Sequence, residues 1–115
     1  MGLVRFDEHP DHLVASQYSR ARGPVWRSEK LEVAKIFFAK GEGAERHAHP
    51  EEQVIYVLRG RLQVTLGEER YIVEAGQASY HPSNVPHEVL ALEDTEAISF
   101  KNVVDPRYPA TGELR

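Results

Sequence analysis

A series of short apolar segments, separated by turn residues, runs from Leu31 to Val104 and restricts the folds that this chain can adopt. The stretches between the segments carry glycine, proline, asparagine and aspartate, which are the residues that turns require. This alternation is typical of an all-β sandwich or barrel. The predicted strands are Leu31–Lys40, Gln53–Arg59, Leu62–Leu66, Tyr71–Val73, Ala78–His81, His87–Leu92 and Ala97–Val104.

The chain of 115 residues has the size of one domain. We expect the barrel to occupy residues 29–105, between an N-terminal head, residues 1–28, and a C-terminal tail, residues 106–115. The head has no clear hydrophobic period, and we expect it to pack on the barrel. The head residues expected across one barrel mouth are Leu13, Val14 and Trp26. The tail holds two prolines, which do not fit a central strand, so we expect an arm or a disordered end.

Composition excludes several classes of function. There is no cysteine, which excludes disulfides, thiol catalysis and zinc fingers. The net charge of −4 argues against a nucleic-acid partner, and the length leaves no room for an attached DNA-reading domain. No apolar run approaches the ~18 residues that span a membrane, and the N-terminus lacks the pattern of a signal peptide. We therefore expect a cytoplasmic protein whose partner is a small-molecule ligand or substrate.

The predicted strand Gln53–Arg59 is apolar on both faces, which is typical of a strand that is covered on both sides. Alternate side chains of a strand point to opposite faces. The residues expected to point into the barrel are Gln53, Ile55 and Val57. The opposite face, Val54, Tyr56 and Leu58, needs a second cover. We expect a homodimer that buries this face and the Leu31–Lys40 strand. The alternative is a monomer whose head folds back over it.

Three of the six histidines form the most informative pattern in the chain. His47 and His49 are two residues apart, so on an extended chain both side chains share a face, about 6–7 Å apart. Gln53 shares that face if the chain stays extended as far as position 53. Glu51 and Glu52 are the competing candidates for a nearby ligand. By itself a His-x-His pair is more often a surface feature than a metal site.

Two spaced motifs give the pair a context. The first reads Gly41, five residues, His47-Ala48-His49, three residues, Gln53, six residues, Gly60. The second reads Gly76, five residues, Pro82-Ser83-Asn84, two residues, His87. Together they resemble the two motifs of the cupin superfamily, with Gln53 in place of glutamate, Asn84 in place of glycine and Ala91 in place of asparagine. The resemblance covers about residues 31–104.

The resemblance implies a double-stranded β-helix, or jelly-roll, barrel of the RmlC-like kind. It also implies one divalent metal ion, with the ligands His47, His49, Gln53 and His87. The ion is zinc, nickel, iron or manganese, between which these ligand types do not choose. With glutamine in place of glutamate the ligand set is neutral, so the ion keeps more of its positive charge and is a stronger Lewis acid.

The stretches HAHPEEQVIYVLRG and PSNVPH are similar to the small pectin-degradation cupins, which linearise unsaturated uronates. In that family an aspartate two residues before a phenylalanine works with the metal. The matching triplet here is Ile98-Ser99-Phe100, and an isoleucine cannot transfer a proton. Either the match slips at this point or the protein runs a different reaction.

The function that we expect is Lewis-acid chemistry of the isomerase or lyase type on a small polar substrate that resembles a sugar or a carboxylate. The alternatives are an iron-dependent dioxygenase and a non-catalytic module that binds a small ligand. The candidate catalytic residues are His81, Tyr80 and Phe100, each of which could equally be an ordinary core residue. Glu52 and Glu88 are the other acid–base groups near the motifs.

Overall fold

The computed structural model describes residues 2–9, 11–14 and 17–105, with the backbone alone at residues 12 and 13. The predicted tail, residues 106–115, lies outside the described residues. One 3-10 turn, Phe6–Glu8, precedes the strands. The strands are β1 (His12–Leu13), β2 (Arg22–Gly23), β3 (Val25–Arg27), β4 (Leu31–Phe38), β5 (Gly43–His47), β6 (Gln53–Arg59), β7 (Arg61–Leu66), β8 (Glu69–Glu74), β9 (Ala78–His81), β10 (His87–Ala91) and β11 (Thr95–Asn102).

These strands form two antiparallel sheets that pack against each other. The larger sheet has the order β1-β2-β4-β11-β6-β9, with β3 also paired to β4, and the smaller sheet has the order β5-β10-β7-β8. Buried apolar residues of both sheets form one core cluster, which includes Ile36, Val57 and Ala97 from the larger sheet and Leu62 and Val64 from the smaller. The predicted all-β fold is confirmed. In the described part of the chain, no helix has the length and apolarity to cross a membrane.

Strand β6 shows how the alternation of side chains builds the barrel. Gln53, Ile55 and Val57 are buried, whereas Tyr56 and Leu58 are 40% and 42% exposed. The prediction for the inward face of this strand is therefore confirmed. Full burial of a side chain such as Val57 stabilises the fold by about 1.5–3 kcal/mol.

Strand β5 was not predicted, because its five residues carry little apolar character. Its position depends on Gly43, where a Cβ atom would clash with the backbone oxygen of Val89 on β10. Only glycine allows the two backbones to approach this closely. Five of the seven predicted strands also differ from the observed ones in their bounds, two of them by a single residue at one end. The larger differences are that Leu31–Lys40 ends at Phe38, Tyr71–Val73 is observed as Glu69–Glu74, and Ala97–Val104 is observed as Thr95–Asn102.

The head contributes short strands to the larger sheet, where β2 and β3 each pair with β4. Val14 is buried and Trp26 is half-buried. The side chain of Leu13 lies outside what the structure describes. The described part of the head therefore extends the sheet sideways and leaves the outer face of β6 exposed.

The register of the strands brings distant residues to one end of the barrel. Gln53 pairs with His81 on β9 and with Lys101 on β11. In the smaller sheet His87 pairs with His47. Because paired residues in an antiparallel sheet have side chains on the same face, each pair places two side chains together on the inner surface.

Candidate metal centre

Three histidines from two segments converge at this end of the barrel. His47 ends β5, His49 lies in the loop that follows, and His87 begins β10. One ligand atom from each lies within 4.8 Å of the corresponding atoms of the other two. The ring centroids are 4.3 Å apart for His47 and His87, 4.8 Å for His49 and His87, and 5.4 Å for His47 and His49. This is the scale on which imidazoles share one ion, with metal–nitrogen distances of about 2.0–2.1 Å.

Each of the three imidazoles makes a hydrogen bond through Nδ1 to a backbone carbonyl two residues away. Because a carbonyl only accepts, each Nδ1 carries the proton and each Nε2 keeps a lone pair. The same arrangement orients metal-binding histidines in known sites. The three bonds join His47 to Glu45 at 2.6 Å, His49 to Glu51 at 3.0 Å, and His87 to Val85 at 2.9 Å.

The Nε2 atoms, on the opposite side of these rings from Nδ1, are suited to bind a metal ion. The Nε2 atoms of His49 and His87 are buried and have no hydrogen-bond partner among the described residues. A buried polar atom without a partner is costly, and such atoms in native proteins usually meet a ligand, a water or an ion. A divalent cation at the convergence point would satisfy both lone pairs, so the residues present fit the metal that the ligand types suggest.

Burial also prepares the imidazoles for a cation. It lowers the pKa of His47 to about 4 and that of His49 to about 3, and it lowers the pKa of His87 as well. The charge of Lys101 adds to this effect at all three rings. The rings are therefore neutral at pH 7, and an ion can bind without first displacing protons from them.

Gln53 lies on the inner face of β6 and is 9% exposed. It lines the same cavity as His47, His87 and Lys101. Its Nε2 donates to the Ser99 hydroxyl at 2.9 Å, and its Oε1 lies 3.2 Å from Nδ1 of His81. The structure thus brings Gln53 to the cavity that two of the histidines line, with its amide held on both sides.

The two competing carboxylates point elsewhere. Glu51 is buried behind His49, with its carboxylate 3.6 Å from Nδ1, the ring atom that carries the proton. Glu52 accepts a hydrogen bond from the Tyr80 hydroxyl at 2.5 Å in an exposed position. The chain bends between His49 and Gln53 instead of remaining extended. The position of Gln53 in the cavity with His47 and His87 is therefore set by tertiary folding, and not by the strand parity on which the prediction relied.

The three candidate catalytic residues have different surroundings. His81 is fully buried beside the cluster, with its ring centroid 4.3 Å from that of His87. Tyr80 and Phe100 are 51% and 45% exposed on the outer face of the larger sheet, and the structure does not bring them to the histidines. Glu88 is half-buried and lies on β10 between the inward-pointing His87 and Val89, so its side chain is on the opposite face of the strand.

The triplet Ile98-Ser99-Phe100 lies on β11, where successive side chains point alternately to the inner and the outer face of the sheet. Ala97 and Ser99 are buried on the inner face, so Ile98 and Phe100 lie on the outer face. No residue at position 98 or 100 can therefore work beside the histidines. The next inward position after Ser99 is Lys101, which lines the cavity.

Sequence reasoning did not find two residues of this site. Lys101 could have been found by following the alternation of β11 two residues beyond Ser99. Tyr18 stacks on the ring of His47, with centroids 3.7 Å apart and planes at 18°. It lies in the head, whose sequence has no hydrophobic period from which its position in the fold could be predicted.

Comparisons with known proteins identify the family to which the chain belongs. The family model for the cupin domain matches residues 35–102. The pectin degradation protein KdgF of Dickeya dadantii is 32% identical over 68 residues, which are 58% of this chain and 62% of that protein. The chain spans between 53% and 62% of the length of the curated relatives it matches.

Two solved structures have the same fold. An RmlC-like cupin from Shewanella frigidimarina has a TM-score of 0.80 at 20% identity, over 92% of this chain and 94% of that one. KdgF from a Halomonas species has a TM-score of 0.79 at 22% identity, over 92% and 96%. At these identities the likeness bears on the fold, and it confirms the predicted jelly-roll barrel. Since the family model matches more than half of the chain, the chain belongs to the cupin family.

Proposed function

We propose that the chain binds one divalent metal ion through His47, His49, Gln53 and His87, and uses it in Lewis-acid chemistry on a small polar substrate. The observation that carries the proposal is the convergence of three neutral imidazoles, two of them with a buried Nε2 that has no hydrogen-bond partner. Such an ion polarises a carbonyl, hydroxyl or carboxylate oxygen and stabilises the negative charge that develops on it.

The charge of the ligands determines how strongly the ion would polarise a substrate. Three imidazoles and one amide add no negative charge to the site, so an ion there keeps more of its positive charge than it would with a carboxylate ligand. Glu51, the buried carboxylate beside His49, lies on the proton-bearing side of the ring, away from the convergence point. A neutral ligand set in a buried position favours proton movement next to a carbonyl or hydroxyl, as in isomerases and lyases.

The proposed substrate class is a sugar-like or carboxylate-like molecule. Lys101 lines the cavity beside Gln53 and brings a positive charge to it. That charge favours a substrate with an acidic group. The relative from Dickeya dadantii is named for pectin degradation, which agrees with an acidic sugar. The proposal does not extend to uronate linearisation, because none of the inward residues of β11 is an aspartate: they are Thr95, Ala97, Ser99 and Lys101.

A non-catalytic binding module is the second candidate, and one observation favours it. Among the described residues that line the cavity, apart from the proposed ligands, the side chains that carry a transferable proton are two serine hydroxyls, Tyr18 and Lys101. A module that only binds a ligand needs no more than this. An iron-dependent dioxygenase would use the same four ligands, so the identity of the metal separates it from the isomerase or lyase.

Elemental analysis of protein purified without an affinity tag tests the metal site. We expect one divalent ion per chain in the wild type and none in His47→Ala or His87→Ala, because each variant removes a convergent lone pair. His9→Ala is the matched control, since it removes an imidazole from the head and should keep the ion. Full occupancy in either cluster variant would overturn the site. Zinc or nickel would favour Lewis-acid chemistry, and iron would favour oxygen chemistry.

We further propose that a second copy of this chain covers the outer face of the larger sheet. Phe100 pairs with Val54, which pairs in turn with Tyr80, while Ile98 pairs with Tyr56. These residues form one continuous apolar surface that the described part of the head does not cover. Continuous apolar surfaces of this kind are unusual on monomers, and obligate dimers bury them.

A further inference from the structure

A buried hydrogen-bonded chain leads away from the metal centre through His81, a residue that is neither a proposed ligand nor part of the apolar core. His81 is fully buried, and both of its ring nitrogens have partners: Nδ1 lies 3.2 Å from Oε1 of Gln53, and Nε2 lies 2.8 Å from the Ser79 hydroxyl. The Tyr71 hydroxyl lies 2.6 Å from that of Ser79. With Ser99 on the far side of Gln53, the chain links five side chains across strands β8, β9, β6 and β11.

The donors and acceptors in this chain form one consistent set. The amide oxygen of Gln53 only accepts, so Nδ1 of His81 carries the proton. Nε2 then keeps a lone pair, which accepts from Ser79, and Ser79 in turn accepts from Tyr71. At the other end the Gln53 amide nitrogen donates to Ser99. The oxygen of the amide therefore faces His81, and a carbonyl oxygen has a second lone pair to offer.

We propose that His81 is a positioning residue, which holds the Gln53 side chain so that its oxygen, and not its nitrogen, faces the metal ion. This inference rests on the proposed function, because it assigns a role toward the proposed ion. An amide ligates through oxygen, and rotation by half a turn would present the NH₂ group instead. The Nδ1 proton of His81 stabilises one of the two orientations.

The surroundings of His81 support a role beyond filling space. Its ring also packs against His87, at 4.3 Å between centroids, so it touches a proposed ligand on β6 and one on β10. Burying an imidazole costs free energy unless both nitrogens are bonded, and an apolar side chain at this position would avoid that cost. A fully bonded polar network is instead able to specify one orientation of each member. Groups that orient metal ligands commonly change metal affinity by about 10–100-fold when removed.

Cobalt binding to purified, metal-free protein tests the inference, with Co²⁺ alone as the probe. The variants are His81→Leu, which removes both bonds; His81→Asn, whose amide can donate where Nδ1 does; and His81→Gln, whose amide reaches toward Ser79. Gln53→Leu is the reference for loss of the amide ligand. The readouts are the dissociation constant for Co²⁺ and the visible absorption spectrum of the bound ion, which reports its ligand set. Thermal unfolding of the metal-free variants shows that each is folded.

We expect His81→Leu to bind Co²⁺ about 10–100-fold more weakly than the wild type and to show the spectrum of Gln53→Leu. His81→Asn should restore the wild-type spectrum, and His81→Gln should not. A purely structural role would move the melting temperature and leave the spectrum unchanged. A wild-type spectrum and affinity in His81→Leu would overturn the inference and leave the metal site standing. A wild type that binds no Co²⁺ would overturn both.

Discussion

The inner and outer faces of the same three strands have opposite chemistry. On the inner face near the metal centre, β6, β9 and β11 present Gln53, His81 and Ser99, which are 9%, 0% and 5% exposed. On the outer face they present large apolar side chains: Tyr56, Tyr80 and Phe100 are 40%, 51% and 45% exposed. A strand on the surface of a monomer normally shows the reverse, with apolar residues inside and polar residues outside.

This inversion is what the proposed metal site on the inner face and the proposed interface on the outer face would together explain. Buried polar groups cost free energy unless each is bonded, and exposed apolar surface gains nothing until it is covered. Farther along β6 the inner face becomes apolar at Ile55 and Val57, where the core lies. We therefore assign the inner polar residues to the proposed metal site and the outer apolar residues to the proposed interface.

The largest expected effect comes from placing a charge on the outer face. Tyr56→Lys should convert a homodimer into a monomer of 13.1 kDa or cause aggregation, because the interface would bury an unpaired ammonium group. Light scattering at micromolar concentration measures the mass. Leu90→Lys is the matched control: Leu90 is also 40% exposed, but it lies on β10 in the smaller sheet and should leave the dimer intact. A wild-type protein of 13.1 kDa would contradict the proposed interface.

The inner face should respond to acid. Burial holds the pKa of His49 and His81 at about 3 and lowers that of His87, whereas in an unfolded chain a histidine has a pKa of about 6.5. Below about pH 6.5 the unfolded chain binds protons that the folded chain does not. The free energy of unfolding of the metal-free protein should therefore fall between pH 7 and pH 5, by at most about 1.4 kcal/mol per pH unit for each of these histidines.

Urea denaturation in the presence of a chelator measures this fall. His81→Leu removes one of the buried imidazoles, so its stability should depend less steeply on pH than that of the wild type. His9→Ala should behave as the wild type does, because its imidazole is outside the cluster. Equal midpoints at pH 7 and pH 5 in the wild type would show that the buried histidines do not resist protonation.

Two lysines on neighbouring strands allow the faces to be compared directly. Lys101 lines the inner cavity, whereas the side chain of Lys35 is 45% exposed beside Glu96 on the outer face. We expect Lys101→Met to weaken the binding of galacturonate to the metal-loaded protein by about tenfold, which corresponds to about 1.4 kcal/mol. Galactose, which lacks the carboxylate, should bind equally well to wild type and variant. Calorimetry measures both constants.

Lys35→Met is the control for the loss of one positive charge, and it should bind both sugars as the wild type does. If the two lysine variants weaken galacturonate binding equally, the effect comes from net charge and not from the position of Lys101. If neither weakens it, the cavity does not select acidic ligands.

The smallest change in metal content is expected for Gln53→Glu. The substitution adds a negative ligand, so occupancy should hold or rise while Lewis acidity, and with it any catalytic rate, falls. Both neighbours can adapt, because His81 donates to either kind of oxygen and the Ser99 hydroxyl can turn to donate. Elemental analysis gives the occupancy, and Gln63→Glu, on a strand of the smaller sheet, is the control. Loss of the ion from Gln53→Glu would mean that position 53 does not face it.

The local pattern of the sequence predicted the parts of the fold that repeat along one strand. The alternation of Gln53, Ile55 and Val57 predicted an inward face, and that face is buried. The spacing of His47 and His49 predicted two imidazoles close together, and their ring centroids are 5.4 Å apart. The first prediction succeeded because the period of a strand depends only on backbone geometry. The second succeeded because two residues so close in sequence stay close in space, even though His49 lies in the loop after β5. Strand β5 was not predicted, because its mostly polar residues show no alternation of apolar and polar side chains.

The all-β class and the inward face of β6 could therefore be predicted from the amino-acid sequence, and so could the residue types available to a metal. The contacts that those residues make depend on how the barrel folds. The pairing of His47 with His87, the contact of Gln53 with His81 and the inward position of Lys101 each depend on the register between strands that are distant in the chain. The pairing partner of a strand is selected by the packing of the whole barrel, and a one-residue change of register would turn each of these side chains to the other face.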